Sequence, residues 1–243
     1  MKNYIAFIIK MAYIYDKSYI VISQTMTKQI KSKQRVADHG EVFTREQEVN
    51  AMLDLIEQRP LQDEATYLEP ACGDGNFLIA ILKRKLAKVE KLYKKHQRKY
   101  EFYAIRALYC LYGIEYLEDN VEACRMRLFD YMQKQYELLY SEINEKYYAV
   151  LKHILELNIV HGDALSMTYV KPNQHGEYEM LTFPHWTAQE MGSGYLKWKI
   201  KRHDFTFKNL VDQRDQPYQS LSKQEFKSCY FLDIQNAKPI DKL

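Results

Sequence analysis

Apolar positions along the chain recur with two alternating periods. Val49, Met52, Leu53 and Ile56 mark one face of a helix. Thr44 followed by Gln47 fits a capping box that opens this helix, and Pro60 closes the segment. Ala65 to Leu68 reads as a short strand, followed by a Gly-containing turn. A helix from Asn76 then carries Leu78, Leu82, Leu86 and Val89 on one stripe. Leu108 to Ile114 is the next strand expectation, ending at the acid Glu115. A helix from Leu117 runs through Val121, Cys124 and Leu128, and another covers Ser141 to Leu157. Asn158 to Val160 reads as a third strand, ending at His161-Gly162-Asp163. Alternation of strands and helices predicts an α/β fold, mainly a parallel sheet flanked by helices with right-handed crossovers. Beyond residue 170 the pattern weakens to an irregular C-terminal region, with strand expectations at Met180 to Phe183 and Tyr195 to Ile200.

Residues 1–35 read as an N-terminal appendage. Their apolar stretch from Tyr4 to Ile22 is interrupted by Lys10, Asp16 and Lys17, so no run approaches the roughly 20 residues of a membrane span. A lone hairpin, an added strand or an upstream start-site extension before Met26 fits better. The cysteines at 72, 110, 124 and 229 form no C-x-x-C pair and no zinc-type spacing with histidine. No metal is therefore expected, and reduced thiols in the cytoplasm are.

With 243 residues and 47% hydrophobic content, the chain is long enough for one large domain and too apolar for general disorder. The net charge of +3 excludes a histone-like electrostatic binder. It conceals a local feature: Lys83 to Arg106 hold ten Lys or Arg against two acids, interleaved with Tyr93, Tyr100, Phe102 and Tyr103. Such a cluster, with Lys94, Lys95, Arg98 and Lys99 at its centre, suits either nucleic-acid phosphates or the solvated face of a long helix running into a loop. A second basic run, including Lys201 and Arg202, is equally compatible with nucleic acid, a partner subunit or neither.

Only eight glycines occur, so their clustering is informative. Gly73 and Gly75 lie in EPACGDGNFL, residues 69–78, where a strand hands over to a helix. Two glycines there let the backbone turn sharply and approach a ligand closely, though a plain tight turn has the same spacing. Glu115, at the tip of the second strand, is placed to accept both hydroxyls of a ribose. Asp163, after the third strand, is placed to accept from an adenine amino group. His161 reads as local structure. Ligands of open α/β sheets bind at the carboxyl ends of the strands, so the three acids together describe a nucleoside pocket. No Walker-type lysine accompanies it.

At this point the chain resembles the S-adenosylmethionine-dependent DNA methyltransferases of restriction–modification systems that modify the amino group of adenine. EPACGDGNFL resembles their first cofactor motif, GIEYLEDNVEACRMRL the second and NIVHGDAL the third. HGEVFTREQEVNAML resembles the segment before the first motif, except that Arg45 stands where the family usually has proline. The resemblance covers about residues 36–168 and implies a Rossmann-like methyltransferase fold whose core is that stretch, with 169–243 completing the sheet and extending it. It further implies that Thr44 meets the cofactor carboxylate. Glu69, Ala71, Gly73 and Gly75 would line the methionine and ribose region, Glu115 would bind the ribose and Asp163 the adenine.

The family's catalytic tetrapeptide is Asn, Asp or Ser, two prolines and an aromatic residue. Its first side chain and a backbone carbonyl accept hydrogen bonds from the target amine, and the aromatic residue stacks on the flipped base. None of the six prolines here is followed by another. Two degraded versions exist. Phe183-Pro184-His185-Trp186 keeps Pro184 and Trp186, but Phe183 offers no side-chain acceptor. Asp215-Gln216-Pro217-Tyr218 keeps Asp215, Pro217 and Tyr218 but lies late. Losing a positioned acceptor costs about 3 kcal/mol, by analogy with one preorganised donor, so the chain alone is expected to be inactive or weak. The length after residue 168 also leaves little for target recognition. DNA and a specificity, modification or nuclease subunit are the expected partners. A noncatalytic cofactor- or DNA-binding module, and a methyltransferase for RNA or a small molecule, are the alternatives.

Overall fold

The computed structural model describes residues 31–39, 41–42, 44–57, 65–190, 198–212 and 222–241. The chain divides into two units, Met1–Leu61 and Gln62–Leu243. In the first unit, helix α1 spans Lys33–His39 and helix α2 spans Glu46–Glu57. The Ser32 hydroxyl accepts the Arg35 N–H at 3.1 Å, a helix N-cap contact. At the start of α2 a back-bond of the capping-box kind comes from Glu48. The Glu48 carboxylate reaches back to the N–H of Arg45 at 3.3 Å and pairs with its guanidinium at 2.7 Å. An acid at that place has the charge to hold the arginine, which the neutral Gln47 lacks.

The second unit opens with strand β1, Tyr67–Glu69, followed by helices α3, Asn76–Tyr93, and α4, Gln97–Tyr109. Strand β2 is Leu111–Glu115, and helices α5, Glu118–Leu139, and α6, Glu145–Asn158, lead to β3, Ile159–Asp163. Strands β1, β2 and β3 pair in parallel, in that order, and the two-residue β4, Thr168–Tyr169, adds antiparallel to β3. All five residues of β2 are buried, as expected for a central parallel strand covered on both faces. This is the helix-flanked parallel sheet that the alternation predicts, with one difference. Two helices, not one, separate β1 from β2, whereas the two between β2 and β3 are those expected. The predicted strand from Leu108 begins too early because Leu108 and Tyr109 complete α4, where they bury their side chains. Apolar runs of this length do not distinguish a buried helix end from a strand.

The C-terminal part forms a second sheet. Strands β5, Thr182–Glu190, and β6, Trp198–Thr206, make a long antiparallel pair, in register from Thr182↔Thr206 to Glu190↔Trp198. Helix α7, Phe207–Asp212, follows β6. The short strands β7, Gln224–Phe226, β8, Cys229–Tyr230, and β9, Pro239–Ile240, complete the sheet. Expected strand residues Tyr195 to Lys197 lie outside the described residues.

Aromatic packing joins this sheet to the α/β layer. Phe102 of α4 stacks on Trp198 at 5.0 Å and meets Phe231 edge-on at 5.4 Å. The Tyr112 hydroxyl of β2 donates to the Pro184 carbonyl of β5 at 2.8 Å. Asn158, at the end of α6, is 1% exposed and fully satisfied. Its amide donates to the carbonyls of Tyr109 and Leu111 at 3.0 and 2.9 Å, and its oxygen accepts from the Trp186 indole at 3.0 Å. A second buried polar node is Glu101, which accepts from the Tyr136 hydroxyl at 2.7 Å and from Asn144 at 2.9 Å. Among the described residues no helix is long and apolar enough to cross a membrane.

Candidate functional site

The parallel register aligns the ends of β1, β2 and β3. Glu69 lies opposite Gly113, and Glu115 opposite His161, so Glu69, Glu115 and Asp163 share one rim of the sheet. Between β1 and α3 the chain passes through Pro70 to Gly75. Two of its residues, Gly73 at φ 53° and Gly75 at φ 90°, take left-handed conformations that side chains resist. Gly75 is also the residue that opens α3, and its N–H donates to the Cys72 carbonyl at 2.9 Å. A Cβ at Gly75 would lie 2.7 Å from the Cys124 sulfur of α5, so the turn rests directly on that helix. One at Gly113 would lie 2.8 Å from the Cys72 sulfur. The two thiols thus fill the space that the glycines leave. Its contact with Cys124, together with burial, holds the Cys72 thiol well above its usual pKa and makes it a poor nucleophile.

Glu115 ties the turn to the second strand. It is 8% exposed, and its carboxylate accepts the N–H of Gly73 at 2.8 Å and that of Leu117 at 2.9 Å. The amide of Asn120 reaches the same carboxylate at 3.5 Å. The Cys72 N–H meanwhile donates to the Ile114 carbonyl at 3.0 Å, which carries the parallel pairing past the last residue of β1. On the outside of the turn, Arg127 donates to Asn76 at 2.7 Å and pairs with Asp74 at 3.3 Å.

Burial pushes the Glu69 carboxyl up to about 7, against the opposing effect of the Ala71 backbone N–H bonded to it. Ala71 itself is exposed. At the third strand, one Asp163 oxygen accepts the N–H of Leu165 at 2.8 Å and fixes the loop as an Asx turn. The other Asp163 oxygen makes no hydrogen bond among the described residues. The His161 ring bonds the Tyr116 carbonyl at 2.9 Å, which is the local structural role expected of it.

Two residues beside these acids escape sequence reasoning. Tyr116 is 54% exposed and Leu165 94% exposed, at the tips following β2 and β3. Both are large apolar side chains beside a crevice rim. The signal available in the sequence was position alone, one and two residues beyond the strand-end acids. Nearby, Lys171 pairs with Glu118 at the start of α5 and holds that carboxyl below its ordinary range.

The other expected site residues are dispersed. Thr44 belongs to the first unit, just ahead of α2. Phe183 is buried in β5, and the Pro184 carbonyl is the one bonded by Tyr112. Trp186 is 4% exposed with its indole N–H committed to Asn158, so its ring is a core side chain here and has no face open for stacking. Asp215, Pro217 and Tyr218 lie outside the described residues.

Of the basic residues, Lys94 and Lys95 are exposed, Lys99 is half-buried, and Arg98 pairs with the buried Glu101 at 3.1 Å. Lys201 pairs with Glu225 at 3.3 Å. Arg202 is clasped by Asp204 at 2.6 Å and lies over the Phe226 ring at 4.2 Å, which removes it from the free cationic surface. Among the described residues no group of three or more His, Cys, Asp and Glu could hold a metal ion.

Residues 26–191 match the family described as MmeI, DNA-methyltransferase domain. No curated protein and no solved structure matches the chain. The matched stretch is well over half of the sequence and contains the glycine turn and all three rim acids. The protein therefore belongs to the MmeI DNA-methyltransferase domain family, a restriction–modification type of DNA methyltransferase.

Proposed function

We propose that the chain binds S-adenosylmethionine along the rim of β1, β2 and β3 and takes part in adenine-specific DNA methylation in the cytoplasm. Residues 36–168 are taken as the cofactor-binding core. The observation that carries the reading is the convergence of Glu69, Glu115 and Asp163 beside the Gly73–Gly75 turn. The residues fit such a ligand chemically. The open Asp163 oxygen would accept from the adenine amino group. The Glu115 Oε2 has a lone pair beyond the one used by the Gly73 N–H, and the Asn120 amide contact with Oε1 is long, so the carboxylate would also accept ribose hydroxyls. Tyr116 and Leu165 would cover the faces of a flat base, which removes their apolar surface from water. Glu69 and the exposed backbone at Ala71 would face the methionine end, where an ionised carboxylate suits an ammonium group.

The cofactor, when bound, supplies an electrophilic methyl group. The chain's own residues hold and orient it, with the buried Glu115 on its ribose side. The sequence has no intact tetrapeptide, and both Phe183 and Trp186 of the earlier degraded version are interior. We therefore infer that catalysis and target recognition need a partner. The same observation favours a second reading, a noncatalytic cofactor-binding module.

Calorimetric titration with S-adenosylmethionine tests the shared core. Wild type is expected to bind, and Asp163→Ala to bind about tenfold more weakly, through the loss of one hydrogen bond. A folded protein that takes up no cofactor would overturn the reading. Tritiated methyl transfer to adenine-containing duplex DNA, with and without neighbouring gene products, then separates the two versions. Transfer by the chain alone would refute the need for a second polypeptide. No transfer under any condition favours the module.

A further inference from the structure

The helical hairpin α3–α4 carries charge that the cofactor pocket does not use. Lys88 and Lys91 project from the second half of α3, Lys94 and Lys95 lie in the turn, and Lys99 is in the first turn of α4. The first four are exposed and Lys99 is half-buried. None of the five has an ion-pair partner among the described residues. The segment has only two acids, and both face inward. Glu101 is 0% exposed and committed to Tyr136, Asn144 and Arg98. Glu90 lies towards the hydroxyls of Tyr100, Tyr131 and Tyr140, whose pKa values it helps to raise. An ordinary solvated helix face mixes both signs of charge, whereas the fully exposed charges of this segment are all basic.

The surface is also rigid. Tyr93 and Tyr103 stack across the hairpin with ring centroids 4.0 Å apart and planes within 7°. The Tyr140 hydroxyl donates to the Lys94 carbonyl at 3.0 Å. Gln97 donates to the Tyr136 hydroxyl at 2.7 Å and the Glu142 carbonyl at 2.9 Å, which binds the turn to the far end of α5. Fixed backbone beneath flexible lysines is the arrangement that tracks a phosphate backbone without reading bases.

We propose that this hairpin tip is a docking surface for the phosphate backbone of duplex DNA, separate from the rim that holds the cofactor. It rests on the reading that DNA is the substrate, and adds where the flanking duplex is held. The eighteen residues of α3 separate the tip from the Gly73–Gly75 turn by about 27 Å at 1.5 Å per residue. At that distance the surface would meet duplex that flanks the target base rather than the base itself.

The test measures binding of a 30-base-pair duplex by fluorescence anisotropy across a salt series. Wild type is compared with a variant in which Lys88, Lys91, Lys94, Lys95 and Lys99 are all changed to Gln. Lys134→Gln/Lys238→Gln, on other exposed surfaces, is the control. The five-site variant is expected to bind at least about tenfold more weakly near 0.1 M salt, with a salt slope shallower by about four, near 0.9 for each phosphate no longer neutralised. The control should match wild type, and S-adenosylmethionine titration should give the same affinity in all three proteins. Equal DNA affinity and slope in wild type and the five-site variant would overturn the proposal and leave the cofactor reading standing. So would an equal loss in the control. Cofactor binding without any duplex binding by wild type would also overturn it, while failure of both would remove the DNA methyltransferase reading with it.

Discussion

The Glu115 carboxylate accepts the backbone N–H of Gly73 at 2.8 Å, joining two loops that are 42 residues apart in sequence. Through this bond the acid that would bind a ribose also sets the shape of the glycine turn. Glu115→Ala strands the N–H groups of Gly73 and Leu117 in a poorly hydrated rim. The expected loss is about 2–4 kcal/mol of stability, with cofactor affinity falling at least about tenfold. Glu115→Gln keeps the volume but turns an amide N–H2 towards one of those donors, and should recover only part of both. Urea unfolding and calorimetry on the two variants check this. Full stability in Glu115→Ala would show that the turn does not depend on the bond.

Gly75→Ala tests the fit of the turn on α5. The substitution meets two penalties, a left-handed backbone at φ 90° and a Cβ placed 2.7 Å from the Cys124 sulfur. The backbone term alone costs about 1–2 kcal/mol. Adding Cys124→Ala removes the clash but not the backbone strain, so the double variant should regain part of the stability that Gly75→Ala forfeits. Thermal melting of the four proteins of the cycle measures the coupling. Strict additivity would refute the close contact.

Glu69 should make both stability and cofactor binding depend on pH near neutrality. Its folded-state pKa of about 7 lies above the ordinary carboxyl value of 4.5, so the folded protein holds a proton that the unfolded chain has released. Stability from this group therefore falls as pH rises from 4.5 through 7, by about 1–3 kcal/mol. Burial lowers the pKa of His153, His185 and His203, which contributes the opposite trend on the acid side. The difference between wild type and Glu69→Gln isolates the carboxyl, and Gln should be the more stable above pH 7. If the ionised form faces the methionine ammonium, cofactor affinity rises with pH across 6–8 in wild type, by at most about tenfold per unit, and is flat in Glu69→Gln. Calorimetry at several pH values decides this, and parallel profiles would exclude the role.

Trp186 and Asn158 should behave as core residues. Trp186→Phe leaves the Asn158 oxygen unsatisfied, for a loss of about 1–3 kcal/mol. Asn158→Leu abandons two backbone carbonyls and the indole N–H together, and about 3–5 kcal/mol is expected. Cofactor affinity should be unchanged in whichever variant remains folded. A folded Trp186→Leu protein that had lost methyl transfer in the presence of its partner, while Trp186→Phe kept it, would restore Trp186 as a base-stacking residue.

Much of this organisation is legible in the residue pattern. The helical stripe Leu78, Leu82, Leu86 and Val89, the acids closing β2 and β3, and the paired glycines identify a parallel sheet with acids along one rim. They do so because burial period and turn chemistry are local properties of a sequence. Helix α4 is not legible in this way. Its apolar residues merge with those of β2, and only packing against Trp198 and Phe231 distinguishes the two. The order of β5 to β9 depends on pairings between distant segments, which leave no period in the sequence.

The sequence by itself determined the helical stripe of α3, the alternation of strands and helices up to β3, the glycine turn and which acids end which strands, since each follows from near neighbours in the chain. The tertiary structure alone decided what those residues touch. It decided that Glu115 holds Gly73, that two thiols fill the space beside Gly75 and Gly113, and that Trp186 is interior. It also decided that Arg202 is paired while five lysines of the hairpin have no ion-pair partner among the described residues. Those outcomes depend on long-range packing and on where burial makes a charge costly, and both arise only once distant parts of the chain share one interior.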